Sequence, residues 1–455
     1  MSKPIEENDF LGALRTVVKD VLRSEEREPV RINPNPASCV EELNLSLPEH
    51  GIGLDELANR LTRLLLASPT TSTPRFFNQL FGGRDWASVL GDMLVPLVNN
   101  SMYTYKVAGP HVLIEDLLVK KMGALMGYEK PGGIFSPGGS LSNLTAIVMA
   151  RNVAEQNARE EGMSGRRHRI YSSAVSHYSI RKGANMAGLG RDNVVKVSVD
   201  NQARMRPDAL EQAIRRDLDM GFLPTMVNAT LGTTVEGAFD PIPPLADICE
   251  RYDLWLHLDG AWGGSLILCP ETKHLFEGSG RADSITWDAH KMMGVPLTSS
   301  VLLTRDPRVL SDQFSEQADY LFQEDTERLN PGTRSIQCGR RNDVLKVWAG
   351  WQYHGDTGHA ERLRACRKLV DHAVKVIASN PRLELAIEPE SLNVCFRVLE
   401  SCSKEICSKL HAEGRIMVGY GDVHGETIVR VVFLNPALTH GDVDVFFDEV
   451  CAVAG

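Results

Sequence analysis

The stretch SITWDAHKMMGVPLTSS, Ser284 to Ser300, sets a histidine and a lysine side by side at the end of an apolar, β-branched run, with a glycine three residues beyond the lysine. An ammonium group is among the least buried in proteins, because stripping its water without a partner is costly. Taken alone, Lys291 ends a strand and points into solvent. The rest of the chain says otherwise.

Upstream, LWLHLDGAWGGS places Asp259 at the end of a second apolar run, followed by small residues that let another group approach the backbone. Further runs of the same kind are RIYSS, NVVKVSV, TMVNATLG and SVLLT, and helix-length stretches such as HVLIEDLLVKKMGALMGY lie between runs. Short apolar runs bounded by Gly, Pro or Asp and joined by helices predict an α/β fold with a mostly parallel sheet covered on both faces. In such sheets ligands bind at the carboxyl ends of the strands, so Asp259 and Lys291 are expected to face one crevice.

Two more signals belong to that crevice. SPGGSLSNLTAIVMAR, from Ser136, is a glycine-rich turn with Ser140, Ser142 and Asn143 that opens a helix, where free N–H groups and the helix dipole suit a phosphate. In AVSHYSIRKGA, His177 follows a short apolar run, and its flat imidazole can stack on an aromatic ring. Each feature alone has a plain structural explanation, such as a capped helix, a buried ion pair or a core histidine. Together they describe one ligand. Pyridoxal phosphate has an aldehyde for a lysine amine, a pyridine nitrogen for a carboxylate and a phosphate anchor. A lysine bound covalently to it is buried without its charge.

The ends of the chain differ from this middle. FLGALRTVVKDVL and GLDELANRLTRLLLAS have helical apolar spacing, so residues 1–65 are expected to be helical. Residues 66–345 are expected to form the large cofactor-binding domain. Residues 346–455 are expected to form a smaller α+β domain, with LELAI, NVCFRVL and TIVRVVFL as strands and KEICSKLHAEG and DVDVFFDEVCAVA as helices.

A net charge of −10 over 455 residues argues against general affinity for nucleic acid or anionic membranes. The N-terminal segment lacks the apolar core of a secretory signal, and no run is long enough to span a bilayer, so a cytoplasmic enzyme is expected. Nine cysteines without a CxxC pair predict neither a disulfide framework nor a metal site.

The ordered set PGGSLSN, SHYSIRKGA, LGTTVEGAFDPI, LDGAWGGS, WDAHKMMG and IQCGRRND resembles the group II pyridoxal-phosphate decarboxylases. That family acts on glutamate, cysteine sulfinate, aspartate and aromatic amino acids. The resemblance implies a fold-type I homodimer, with N-terminal helices wrapped on the partner and an active site near the interface. It implies that Lys291 bonds the cofactor, that Asp259 partners the pyridine nitrogen and that His177 stacks on the ring. Ser140, Leu141 and Ser142 would receive the phosphate, Thr233 or Thr234 and Ala261 would line the ring, and His290 would border the phosphate side of the lysine. SEQADYLFQEDTERLNPGTRS is similar to the loop that closes over the site, and its Tyr320 to the residue that protonates the intermediate.

TPRFFNQLFGGRD and TIVRVVFLNP resemble the segments that read an acidic side chain, with Gln79 and Arg430 on the distal acid group. Phe81, Ser101 and Tyr103 resemble the cysteine sulfinate pattern more than the glutamate one. A phenylalanine at 81 would shorten the pocket, favouring cysteine sulfinate or aspartate over glutamate. An aromatic amino acid decarboxylase or aldehyde synthase would be expected to lack Gln79 and Arg430, and a non-catalytic cofactor-binding paralogue would not need Lys291 and Tyr320. Two segments depart from the family: in WDAHK, Asp288 stands in place of an asparagine that helps hold the phosphate, and YTYKVAGPH brings in Lys106 and His111.

Overall fold

The computed structural model describes residues 5–25, 35–316 and 329–455. Three helices come first, α1 (Glu7–Glu25), α2 (Pro36–Glu42) and α3 (Leu54–Ala67), followed by α4 (Trp86–Val98), α5 (Tyr105–Ala108) and α6 (Pro110–Leu125). Strands and helices then alternate through β1 (Gly132–Ser136), α7 (Gly139–Ala154), β2 (His168–Ser173), α8 (Ser179–Met186), β3 (Val194–Val197), α9 (Pro207–Asp219), β4 (Leu223–Thr230) and α10 (Ile242–Tyr252). The series continues with β5 (Trp255–Gly260), β6 (Ser284–Asp288), β7 (Ser300–Thr304), α11 (Val309–Phe314) and α12 (Val344–Ser379). The chain ends with β8 (Leu383–Ile387), β9 (Asn393–Val398), α13 (Ser403–Ala412), β10 (Gly419–Val423), β11 (Glu426–Val432) and α14 (His440–Ala454).

Two compact units result. The larger takes the described residues of Arg84–Asp371 together with Ile387–Cys395. Its sheet runs β1-β7-β6-β5-β4-β2-β3, parallel from β6 to β3 and antiparallel on both sides of β7. Every residue of β1, β6 and β7 is buried, because helices cover both faces and leave no polar side to alternate with. Ile134, Ile147, Met149, Ile170, Ile180 and Leu302 belong to one core cluster of strand and helix residues.

The topology decides where a site can form. Because β1 and β6 both run opposite to β7, the strands β1, β2, β4, β5 and β6 all end on the same edge of the sheet. The first residue of β7, Ser300, is in register there with both Ser136 and Asp288.

The second unit takes the described residues of Met1–Gly83, with His372–Ala386 and Phe396–Gly455. Within it α1 packs on α3. The segment after α3 joins the C-terminal strands: Phe77 N donates to Met417 O at 2.8 Å, and Val432 N donates to Phe77 O at 3.1 Å. The Phe77 ring meets Phe446 edge-on at 4.9 Å and Phe433 at 5.8 Å, which seals that core. The strand GYGDV (β10), paired antiparallel with β11, has no apolar alternation and could not be read from sequence. The helical run after Arg341 is two helices in continuity, α12 bending at Gly355 with φ 62°.

One buried ion pair fastens the larger unit. Arg340, from the IQCGRRND motif, donates to Glu115 Oε1 at 2.5 Å and Oε2 at 3.2 Å, and also to Met102 O and Phe135 O. Glu115 in turn accepts from Phe135 N at 2.9 Å, so helix α6 and strand β1 are held by one pair. Removing one partner leaves a buried, uncompensated charge. Glu115→Ala is expected to lower unfolding free energy by about 3–5 kcal/mol, read as a shifted urea midpoint.

Candidate active site

The site is built from the loops that leave the aligned strand ends. Lys291 lies three residues beyond β6, with its side chain 22% exposed and its Nζ 3.4 Å from Asp288 Oδ2. Gly294, at φ 74°, turns the chain away behind it. The lysine can therefore be reached without standing fully in solvent.

Asp259 occupies the end of β5, in register with Thr286 of β6, and is buried. Its Oδ2 accepts from Asn143 Nδ2 at 2.9 Å and its Oδ1 from Ala261 N at 3.1 Å. Both donors are neutral. Behind Asn143 stands His257, whose Nε2 is 3.1 Å from Asn143 Oδ1 and whose Nδ1 is 2.8 Å from Ser284 Oγ. Since the Asn143 amide nitrogen donates to Asp259 and to Ser179 Oγ, its oxygen must accept, which puts the His257 proton on Nε2. Trp255 Nε1 donates to Ser284 Oγ at 2.9 Å and completes the chain. Every donor in it points toward the carboxylate.

His177 follows β2. Its Nδ1 accepts from Ser179 N at 3.3 Å. Burial is the main cause holding its imidazole below the usual histidine range, opposed by the charge of Asp259 and reinforced by Lys291. At neutral pH it is an uncharged ring, suited to stacking. Asp259, Lys291 and Asp288 all lie within electrostatic reach of His177. His290 is buried too, with Nδ1 2.8 Å from Ser299 O and Nε2 3.6 Å from Asp288 Oδ2. Its pKa is lowered, first by burial.

At the start of α7, Gly138 caps the helix with φ 114°, and Ser140 is exposed while Leu141 is half-buried. Ser142 is turned inward: its Oγ lies 2.6 Å from Ser136 Oγ and 2.8 Å from Ser300 Oγ, a buried chain of hydroxyls joining α7 to β1 and β7. Thr233 is similarly engaged, donating to Glu236 Oε2 at 2.8 Å and accepting from Ala238 N. Thr234 is half-buried and Ala261 is buried beside Gly139.

Ser101 Oγ accepts from Arg340 N at 3.0 Å, and Tyr103 is half-buried near it in sequence. Gln79, Phe81 and Arg430 belong to the smaller unit, where Arg430 Nη2 donates to Asn78 O, and the Phe81 and Phe76 rings are 6.4 Å apart. His111 is engaged with Asn100 and Ala108 O at the start of α6. Tyr320 lies outside the described residues.

The residues present fit pyridoxal phosphate on their own chemistry. A buried carboxylate held only by neutral donors is completed by a cation, which a protonated pyridine nitrogen supplies. The start of α7 offers a helix dipole to a phosphate. Sequence reasoning missed the supporting chain of Asn143, His257 and Ser284. The signal was there, as polar residues at positions inside otherwise apolar runs.

A parallel-dominated sheet with a lysine, an acid and a histidine on its carboxyl edge is compatible with a pyridoxal-phosphate enzyme of fold type I. Residues 36–399 match the model of the pyridoxal-dependent decarboxylase conserved domain. Human cysteine sulfinic acid decarboxylase is 37% identical over 439 residues, 91% of this chain and 89% of that protein. The crystal structure of mouse CSAD superposes with a TM-score of 0.91 at 34% identity, covering 97% of this chain and 99% of the other. Oryza sativa TDC, solved with PLP and tryptamine, shares the fold at a TM-score of 0.92 and 23% identity, over 100% of this chain and 99% of that one. The chain belongs to the pyridoxal-dependent decarboxylase family and is a pyridoxal-phosphate-dependent amino acid decarboxylase.

The neutral state of His257 has a stability signature. Burial pushes its pKa down from 6.5 to about 4. Below pH 6.5 the unfolded chain binds a proton that the folded chain refuses, so this contribution is complete above 6.5 and is lost as pH falls toward 4. Urea unfolding across that window is expected to show a slope up to about 1.4 kcal/mol per pH unit steeper in the native protein than in His257→Gln.

Proposed function

We propose that this enzyme decarboxylates a small acidic L-amino acid, cysteine sulfinate or aspartate ahead of glutamate, releasing an amine and carbon dioxide. The observation that carries the reading is whole-length similarity to cysteine sulfinic acid decarboxylases at 36–37% identity, combined with Phe81, Ser101 and Tyr103 in this chain. Pyridoxal phosphate, when bound, supplies an aldehyde for the substrate's amine and an electron-poor ring for the electron pair left by carbon dioxide.

The chain's own residues do the rest. Lys291 holds the cofactor until substrate arrives, and Asp259, polarised by Asn143 and His257, keeps a proton on the pyridine nitrogen. His177 stacks on the ring as an uncharged imidazole. Ser140, Leu141 and Ser142 receive the phosphate at the start of α7. The Ser142 hydroxyl is already shared between Ser136 and Ser300, and its backbone N–H donates to Gly138 O at 3.3 Å, whereas Ser140 is exposed. His290 borders the lysine, and Thr233, Thr234 and Ala261 shape the ring's surroundings. Arg430 and Gln79 hold the distal acid group, Phe81 limits its reach, and Tyr320 returns a proton to the α-carbon. Replacement of Lys291 by alanine should abolish both the visible absorbance of bound cofactor and turnover.

A shorter pocket is worth about 1–3 kcal/mol per methylene, so kcat/KM for cysteine sulfinate or aspartate is expected to exceed that for glutamate by roughly 10- to 200-fold. A competition assay among the three, following product amines, tests this. Arg430→Met should raise KM for the acidic substrates while leaving the cofactor absorbance intact. A dominant aromatic amine would overturn the substrate reading and leave the cofactor reading standing.

We also propose a cytoplasmic homodimer with a shared active site. Helix α4 supports the dimer, since it presents Trp86, Leu90, Met93, Leu94, Leu97 and Val98 to solvent, an apolar face too continuous to stay wet. Sedimentation should give about twice the 50.2 kDa chain mass, and Leu90→Glu with Leu94→Glu should reduce it to one.

A further inference from the structure

Among the described residues of the crevice, Asp288 is the acid to which the reading above gives no task. It ends β6, is 2% exposed, and Trp287 before it is fully buried. Its Oδ2 lies 3.4 Å from Lys291 Nζ and 3.6 Å from His290 Nε2, whereas its Oδ1 has no hydrogen-bond partner among the described residues. A Cβ placed on Gly139 would meet Oδ2 at 2.7 Å and Oδ1 at 3.0 Å. The carboxylate therefore stands against the first residue of α7. The charged and titratable groups around it are Lys291 and His290 from its own loop, His177 after β2 and Asp259 at the end of β5. Lys346 on α12 acts on His290.

A buried oxygen without a donor calls for a physical explanation, and one facing a binding crevice points to what binds there. The start of α7 is where the proposed function puts the cofactor phosphate, and a phosphate oxygen brought to a bare carboxylate oxygen is repelled. Two acids forced together resolve this by sharing one proton, as paired carboxylates do. A phosphate monoester, with its second ionisation near pH 6, arrives as a dianion at pH 8 and must draw that proton from solvent.

We propose that Asp288 and the cofactor phosphate share one proton, so that each phosphate bound takes one proton from solvent. It lies between Oδ1 and a phosphate oxygen, and no covalent bond to phosphorus or carbon changes. The inference rests on the phosphate placement at α7 given above. Its consequence is an enzyme that loses cofactor more readily as pH rises, a property that an asparagine at 288 would remove by donating an amide hydrogen.

The test uses cofactor-free full-length protein and two probes without an aldehyde, 4′-deoxypyridoxine 5′-phosphate and 4′-deoxypyridoxine, so that Lys291 does not react. Calorimetric titration at pH 8 in two buffers of different ionisation enthalpy counts the protons taken up. The phosphorylated probe should take up about one proton more than the other, and its Kd relative to the other should rise about tenfold per pH unit above pH 7. In Asp288→Asn both differences should vanish, with tighter binding of the phosphorylated probe. Equal proton uptake by the two probes in the native protein overturns the proposal, whether or not the variant folds. An extra proton that persists in Asp288→Asn overturns it as well. A phosphorylated probe that binds no better than the other at pH 7, in either protein, removes the phosphate from α7 and so defeats the placement itself.

Discussion

The hydrogen bond from Asn143 to Asp259 is the contact on which the site depends. A carboxylate buried to this degree would ordinarily take up a proton or find a cation. Here it is held by an amide and a backbone N–H, both neutral, which leaves its charge available to whatever enters the crevice. The chain behind it, from Trp255 through Ser284 and His257 to Asn143, sets the direction of each donor, and burial keeps His257 uncharged so that it can serve as a link. A charged histidine at that place would compete for Asp259 and weaken its hold on a ring nitrogen.

The chain of bonds works only because the fold aligns it. Asn143 is in the first turns of α7, His257 and Asp259 stand two positions apart on β5, and Ser284 opens β6, in register with His257. Alternation along a strand would normally send every second side chain to the solvent face. Two positions apart, His257 and Asp259 share one side of β5, helices keep that side buried, and both reach Asn143. The reversed strand β7 matters as well. It brings Ser300 beside Ser136 and Asp288, and the Ser136–Ser142–Ser300 hydroxyls pin the start of α7 to the same edge.

Two kinds of charge coexist in the larger unit, with different jobs. Glu115 and Arg340 form a closed pair in which each charge meets the other and nearby backbone groups, so it fixes α6 against β1 and leaves nothing for a ligand. Asp259, Asp288 and Lys291 are incompletely matched, with one oxygen of Asp288 unpartnered among the described residues. An incompletely matched group in a buried place costs stability and is a mark of a binding site. The distinction is not visible from residue types, since both sets combine acids with a base.

The sequence by itself determined the fold class and the cofactor, and it singled out Lys291, Asp259 and His177 as the residues proposed to hold that cofactor. Short apolar runs with small residues after them carry strand ends, and motifs such as LDGAWGGS and WDAHKMMG carry the chemistry in residue types that neighbours along the chain constrain. It did not reveal β10, whose GYGDV has no alternating pattern although it pairs with its hairpin neighbour β11, nor that the segment around Phe77 builds the smaller unit's core, because that segment bonds to Met417 and Val432, far away in sequence. Only the tertiary structure decided which polar groups meet: that Ser142 faces inward, that Asn143 holds Asp259, that Arg340 is closed on Glu115, and that Asp288 stands against Gly139. These depend on distances between residues more than a hundred positions apart, and local spacing carries no information about such distances.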